Sequence, residues 1–223
     1  MTKNISMFLS GASLVIALSA LPARAGTFAT INIDADYSDW AGIPVVASDP
    51  ADNVGGVDFA DVQIANDNDF LYIRNTYHAA KSLSTFMGID VDENLATGFD
   101  VFGLGLIGQD VGWQNDFPFT SQAGVFNDGQ GMSGDFFGIG AGLLDQFIDS
   151  NSREMAISLS ILRNIDNSPV FPDNTVRILF WTDSAGSGGG DVTSVIDYEL
   201  AVPEPASLAV LMLAGLGVGR VRH

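Results

Sequence analysis

The chain is 223 residues long and carries 27 acidic against 9 basic residues, a formal net charge of −18 at pH 7. Such a charge repels phosphate backbones and anionic bilayer surfaces, which excludes nucleic acid as a partner. There is no cysteine, which excludes thiolate nucleophiles, thiolate metal sites and disulfide staples and leaves the fold to stand on its hydrophobic core.

The first element in chain order is a processing signal. Lys3 precedes an apolar stretch over residues 7–21, and Ala23-Arg24-Ala25 follows. A basic start, a short apolar core and an Ala-x-Ala site predict a secretory signal peptide over residues 1–25, cut after Ala25, with Ala23 and Ala25 as the small residues that fit signal peptidase. The alternative is a retained anchor helix, for which the apolar run is short.

Residues 29–33 predict a short first strand, followed by Ile33-Asp34-Ala35-Asp36-Tyr37-Ser38-Asp39-Trp40. Alternating runs at 61–65 and 70–74, joined by Asn66-Asp67-Asn68-Asp69, predict a hairpin. Apolar, β-branched and aromatic runs at 85–91 and 101–107 predict further strands, and residues 103–142 lack a clear period. Residues 154–161 alternate cleanly, with Met155, Ile157, Leu159 and Ile161 on one face; 175–181 and 193–200 close the domain. Residues 143–148 and 160–165 each predict a turn or two of helix. Short strands between Gly, Asp and Asn turns predict an all-β fold, a β-sandwich of jelly-roll or Ig-like type, over residues 26–201.

Three groups of side chains in this middle part bear on chemistry. Asp90, Asp92 and Asn94 alternate on one side of a loop and offer three oxygens suited to calcium. The loop is not an EF-hand, because Leu95 and Val101 stand where glycine and glutamate are needed. A second acidic group comprises Asp49, Asp52, Asn53, Asp58 and Asp61; six aspartates lie between residues 49 and 69, and a cation would relieve their repulsion. The bland alternative for both groups is that Asp and Asn bond their own backbone in turns. For sugar recognition an exposed ring is needed, and Trp113, within Gly112-Trp113-Gln114-Asn115-Asp116, is the candidate, with Asn115 and Asp116 as its polar neighbours; core packing is the alternative for this ring. Catalysis is not expected. His78 is the one histidine in the middle part, no Gly-x-Ser-x-Gly or phosphate loop is present, and only Glu93, Glu154 and Glu199 accompany the aspartates there.

The chain closes on Val202-Pro203-Glu204-Pro205, an apolar stretch over residues 206–219, then Arg220 and Arg222. Two prolines end the folded domain, and fourteen helical residues reach about 21 Å, short of the roughly 30 Å hydrocarbon core. The order Pro203-Glu204-Pro205, apolar helix, basic end resembles the PEP-CTERM sorting signal of Gram-negative bacteria that make exopolysaccharide, here residues 202–223. The resemblance implies transient inner-membrane contact through the tail, processing by an exosortase, and delivery to the cell surface or matrix. Without both ends, acids fall from 27 to 26 and bases from 9 to 5, so the middle part carries −21.

The middle part in turn resembles the DOMON-like domains and a related family of carbohydrate-binding modules. Asp34 to Trp40 is similar to their D-G-x-x-x-D-W opening, with Ala35 in place of glycine. Asn66 to Tyr72 is similar to their hairpin, and Asp90-Val91-Asp92 with Asn94, Thr97 and Gly98 to a D-x-D-x-N-x-x-T-G loop. This implies a β-sandwich fold first and extracellular glycan binding second. The expectation is therefore a secreted, non-catalytic surface or biofilm-matrix protein that binds or organises extracellular polysaccharide, with calcium as its one candidate cofactor. A purely structural matrix protein without a sugar site is the alternative, and a carbohydrate-active enzyme a more distant one.

Overall fold

The computed structural model describes residues 24–53, 56–79, 85–115, 117–133, 151–182 and 190–203. The described strands are β1 (Arg24–Ala25), β2 (Val45–Ser48), β3 (Phe59–Asn66), β4 (Phe70–Tyr77), β5 (Thr85–Asp90), β6 (Phe99–Asp100), β7 (Gly108–Gln109), β8 (Val111–Gln114), β9 (Phe117–Thr120), β10 (Met132–Ser133), β11 (Ser152–Ser158), β12 (Leu162–Arg163), β13 (Thr175–Thr182) and β14 (Ile196–Glu199). A six-stranded sheet runs β1-β14-β13-β5-β8-β9 and a four-stranded sheet runs β11-β4-β3-β2. Every pairing is antiparallel except that of β1 with β14. The architecture is all-β and sandwich-like.

Alternation along each strand explains how the two sheets share a core. Val62 and Ile64 of β3, Leu71 and Ile73 of β4, and Met155 and Ile157 of β11 are buried together with Met87 and Ile89 of β5 and Val176, Ile178 and Phe180 of β13. The alternate residues of β5 and β13, namely Phe86, Leu179 and Trp181, face away from that core and meet Val101, Ile107 and Phe119 in a second cluster. Asp90 belongs to this outer face of β5, which is how a carboxylate ends up in a sheet otherwise read as apolar. The β3–β4 hairpin is fastened by Asp67, whose Oδ1 accepts from the backbone N–H groups of Asp69 and Phe70, both at 2.9 Å. A side chain that bonds its own turn is what the Asn/Asp run predicts.

The segment expected as a first strand, 29–33, is not one. Only Phe28 makes a bridge, to Asn66. After Ala29, whose N–H donates to the Asn66 carbonyl at 2.9 Å, side chains take over as acceptors: the Asn32 N–H donates to Asp39 Oδ2 at 3.0 Å, and just beyond the segment Asp34 N–H and Ala35 N–H donate to Glu154 Oε1 at 2.9 and 2.7 Å. Glu154 is fully buried on β11, and its Oε2 accepts the Trp40 indole N–H at 2.8 Å. One carboxylate thus holds both ends of the Asp34–Trp40 motif against the outside of the four-stranded sheet, where Ile31 and Trp40 pack on Ala65, Tyr72 and Ala156.

Ala35 sits at φ 64°, the left-handed region where a Cβ is costly and glycine is not. Replacing Ala35 with glycine is therefore expected to stabilise the fold, by about 0.5–1 kcal/mol after glycine's greater unfolded-state freedom is deducted. Urea unfolding would show this as a higher midpoint at unchanged slope.

The run at 101–107 also departs from a strand. Phe102, Gly103 and Gly105 have φ of 53°, 69° and 66°, and the Gly105 N–H is taken by Asp100 Oδ1 at 2.8 Å. Left-handed residues break the pleat, so the run becomes a one-turn 3-10 segment, Val101–Gly103. The stretch 160–165 forms a turn and the short strand β12 where a helical turn was expected. Residues 143–148 lie outside the described residues.

The folded part closes on a clamp. The buried Asn66 accepts from Ala201 N–H at 2.8 Å through Oδ1 and donates to the Ala201 carbonyl at 2.9 Å through Nδ2. Pro203 is the last described residue; Glu204, Pro205 and the expected sorting helix lie outside the described residues, as do Ala23 and most of the expected signal helix. Arg24 and Ala25 form β1, so cleavage after Ala25 would remove that edge strand. Among the described residues no helix is long and apolar enough to cross a membrane.

Candidate metal centre

Two neighbouring connections on the outer face of the six-stranded sheet build the site. β5 ends at Asp90, and the loop that follows turns back at Glu93, whose φ is 54°. The Asn94 N–H donates to Asp92 Oδ1 at 3.0 Å and lies 3.2 Å from Asp90 Oδ1, while the Thr97 hydroxyl lies 2.9 Å from both oxygens of Asp92. Gly98 follows because the chain passes there against the backbone of Gly108, with no room for a Cβ. The Gly108 N–H in turn donates to Asp90 Oδ2 at 3.0 Å.

Asp110, between β7 and β8, completes the cluster. It is 3 % exposed, and its Oδ2 accepts from Val91 N–H at 2.8 Å. Asp90, Asp92 and Asp110 each present an oxygen within 4.8 Å of the others. Two oxygens on one calcium at 2.3–2.6 Å lie at most about 5 Å apart, so all three can bind one ion. Carbonyls and water would complete the six to eight ligands calcium takes, and an all-oxygen set selects hard cations over zinc or copper. Asp90 and Asp110 are buried while Asp92 faces solvent, which leaves a way in.

The electrostatics point the same way. Burial, then the charges of Asp92 and Asp90, push the Asp110 carboxyl up to about 6, although the Val91 N–H and Arg163 pull it down. Burial also raises Asp90, against bonds from Gly108 and Asn94 and the charge of Arg177. Arg163 is the one ion-pair partner of the cluster among the described residues, at 3.7 Å from Asp110 Oδ1 and shared with Asp166 at 3.2 Å. One loosely held guanidinium in contact, with Arg177 acting on Asp90 as well, still leaves three carboxylates with a charge deficit that a divalent cation would fill.

The cluster opens on a cleft of about 460 Å³ in which Thr120, Ser121, Gln122, Asp128, Arg163 and Asp166 surround Asp92 and Asp110. The Thr120 hydroxyl and the Gln122 amide both donate to Asp128, at 2.6 and 2.8 Å. Carboxylate, hydroxyl, amide and guanidinium groups around an open space suit a polyhydroxylated ligand rather than an apolar one.

The sequence-predicted site residues fare differently. Asp90 and Asp92 converge; Asn94 stands beside them, but its side-chain oxygen accepts from Ala96 N–H at 3.1 Å and so serves the turn. Trp113 is corrected outright: it is 1 % exposed and packed in the shared core, because β8 alternates Val111 and Trp113 inward. No sugar can stack on it. Trp40 and Trp181 are buried as well. Asn115, at φ 55°, turns the β8–β9 hairpin, and its Oδ1 accepts from the Thr85 hydroxyl at 3.1 Å; it lies apart from the cleft. Asp116 is outside the described residues. Asp110 was missed, since twenty residues and no spacing rule separate it from Asp90. The chain matches no protein-family model, no curated protein and no solved structure.

Proposed function

We propose that the chain is a secreted, non-catalytic surface or matrix protein that binds extracellular polysaccharide through a calcium ion held by Asp90, Asp92 and Asp110. The observation that carries this reading is the convergence of three carboxylates, two of which, Asp92 and Asp110, line a polar cleft. A cation there would neutralise the deficit and present open coordination positions to vicinal hydroxyls or to a uronate, while Gln122 and Arg163 bond the rest of the sugar. Affinities for such solvent-open extracellular sites fall around 10⁻⁴–10⁻³ M. The two sheets are read as the sandwich of the DOMON-like and carbohydrate-binding-module class. The Pro203-Glu204-Pro205 tail and the Ala23/Ala25 site are read as export by signal peptidase and sorting by an exosortase in a Gram-negative cell.

Carboxylates closer than 4.8 Å fit ion holding better than glycoside hydrolysis, which separates its pair by about 5–5.5 or 6.5–9.5 Å. The test is affinity electrophoresis of the full chain through gels containing the producing organism's matrix polysaccharide. Retardation with calcium that disappears in chelator supports the reading; free migration in both, or hydrolysis of the polysaccharide, overturns it. The burial of Trp113 favours one second reading, a structural matrix protein without a sugar site. On that reading gene deletion weakens the matrix although migration in the gel stays free.

A further inference from the structure

A second group of carboxylates lies where the two sheets meet. Asp49 follows β2, Asp58 precedes β3, and Asp191 lies between β13 and β14; their oxygens are within 4.8 Å of one another. Each is placed by the backbone. The Asp49 N–H donates to the Ala60 carbonyl at 2.7 Å, and the Asp58 carbonyl accepts from His78 N–H at 2.9 Å. Asp191 Oδ2 accepts from Phe59 N–H at 2.6 Å, and its own N–H donates to the Thr182 hydroxyl at 2.8 Å.

A cluster of acids is ordinary on so acidic a chain, but Asp58 is not ordinary. It is 8 % exposed, its Oδ1 is sealed from solvent with no hydrogen-bond donor, and its carboxyl group stands beside those of Asp49 and Asp191. A buried carboxylate oxygen without a donor costs more than nearly any other polar group, and native proteins supply it a partner. Among the described residues no lysine or arginine forms an ion pair with any of the three. Burial and the neighbouring Asp191 charge raise the Asp49 carboxyl, so the repulsion is relieved either by a shared proton or by a cation.

We propose that Asp49, Asp58 and Asp191 form a second site for a hard divalent cation such as calcium, one that ties the start of β3 in the four-stranded sheet to the β13–β14 connection of the six-stranded sheet. Its role is to fasten the layers, and it stands independently of the polysaccharide reading. The distances meet the calcium limit used above, and the ligands are again all oxygen.

The experiment is calcium binding to the chelator-stripped full chain, followed by equilibrium dialysis and by thermal unfolding. The wild type is expected to bind two ions, and Asp58→Asn one. Saturating calcium should raise the wild-type midpoint by about 10–20 °C at a hundredfold excess over the Kd of both sites, with about half of that rise lost in Asp58→Asn. In chelator Asp58→Asn should melt at or above the wild type, because it removes one of three repelling charges. Asp49→Asn, on a half-exposed side chain, should show the same loss of one ion and serves if Asp58→Asn does not fold. Retention of both ions by these variants overturns the proposal, as does a lower chelator midpoint with the calcium response intact. Asp110→Asn separates the two sites: if it still binds two ions the cleft reading fails while this one stands.

Discussion

Replacing Glu154 with alanine is expected to destabilise the fold by about 3–5 kcal/mol, the largest effect of any single change on the outer face of the four-stranded sheet. The carboxylate accepts from Asp34 N–H, Ala35 N–H and the Trp40 indole, and its removal strands all three donors, the indole N–H of Trp40 in a buried position. A buried donor left unpaired costs about 1–3 kcal/mol. Set against a total stability of about 5–15 kcal/mol for an ordinary domain, the loss is about a fifth or more of what holds the chain folded. Glu154→Gln keeps one acceptor oxygen but turns an amide NH₂ towards a donor, so it should lose roughly half as much. Urea unfolding followed by tryptophan fluorescence measures both; a midpoint for Glu154→Ala within about 0.5 kcal/mol of wild type would show that the carboxylate does not anchor the segment.

The second large effect is on stability as a function of pH, and calcium should reverse its sign. Asp110 titrates at about 6 in the fold against 3.8 ordinarily, through burial and the charges of Asp92 and Asp90. Burial and Asp191 place Asp49 at about 6 as well. A carboxyl whose folded value is raised binds its proton more tightly in the native state. In chelator its contribution is therefore fully present below pH 3.8 and is lost as pH rises through about 6. For the buried Asp110 alone the loss is on the order of 2–3 kcal/mol. Other carboxylates work in the opposite sense. Burial pushes Asp67 and Asp128 up, but hydrogen bonds hold both below the ordinary value, and bonds from Ser168 do the same for Asp166. These three favour the fold above pH 3.8 with or without metal, so the difference between calcium and chelator curves isolates the clusters. That difference should be small at pH 4 and grow through pH 6, because calcium binds the deprotonated form. A difference independent of pH would contradict the cation sites.

Much of the framework was readable in the residues themselves. Alternation in β3, β4 and β11 marked the inward faces, and the Asn66–Asp69 run marked the hairpin, since both signals are local. Ala35 has a φ of 64°, a conformation that glycine adopts without strain. What escaped depends on partners far along the chain. Residues 29–33 look like a strand, but Asn32 N–H goes to the Asp39 side chain, and Glu154, about 120 residues away, takes the N–H groups of Asp34 and Ala35 just beyond. Trp113 has loop formers for neighbours, yet only the pairing of β8 between β5 and β9 decides that it faces inward. The D-x-D-x-N spacing revealed Asp90 and Asp92, whereas Asp110 and Asp191 are single acids among glycine and apolar residues. Their signal is a charge in a sequence environment that otherwise reads as buried.

The central claim is that calcium at Asp90, Asp92 and Asp110 mediates polysaccharide binding. The most direct measurement is retardation of Asp110→Asn beside wild type in gels of the producing organism's matrix polysaccharide with calcium present. Loss of a buried carboxylate ligand should weaken retention at least about tenfold, while Asp58→Asn, at the other cluster, should be retained like the wild type. Equal retention of Asp110→Asn and wild type in calcium would contradict the account.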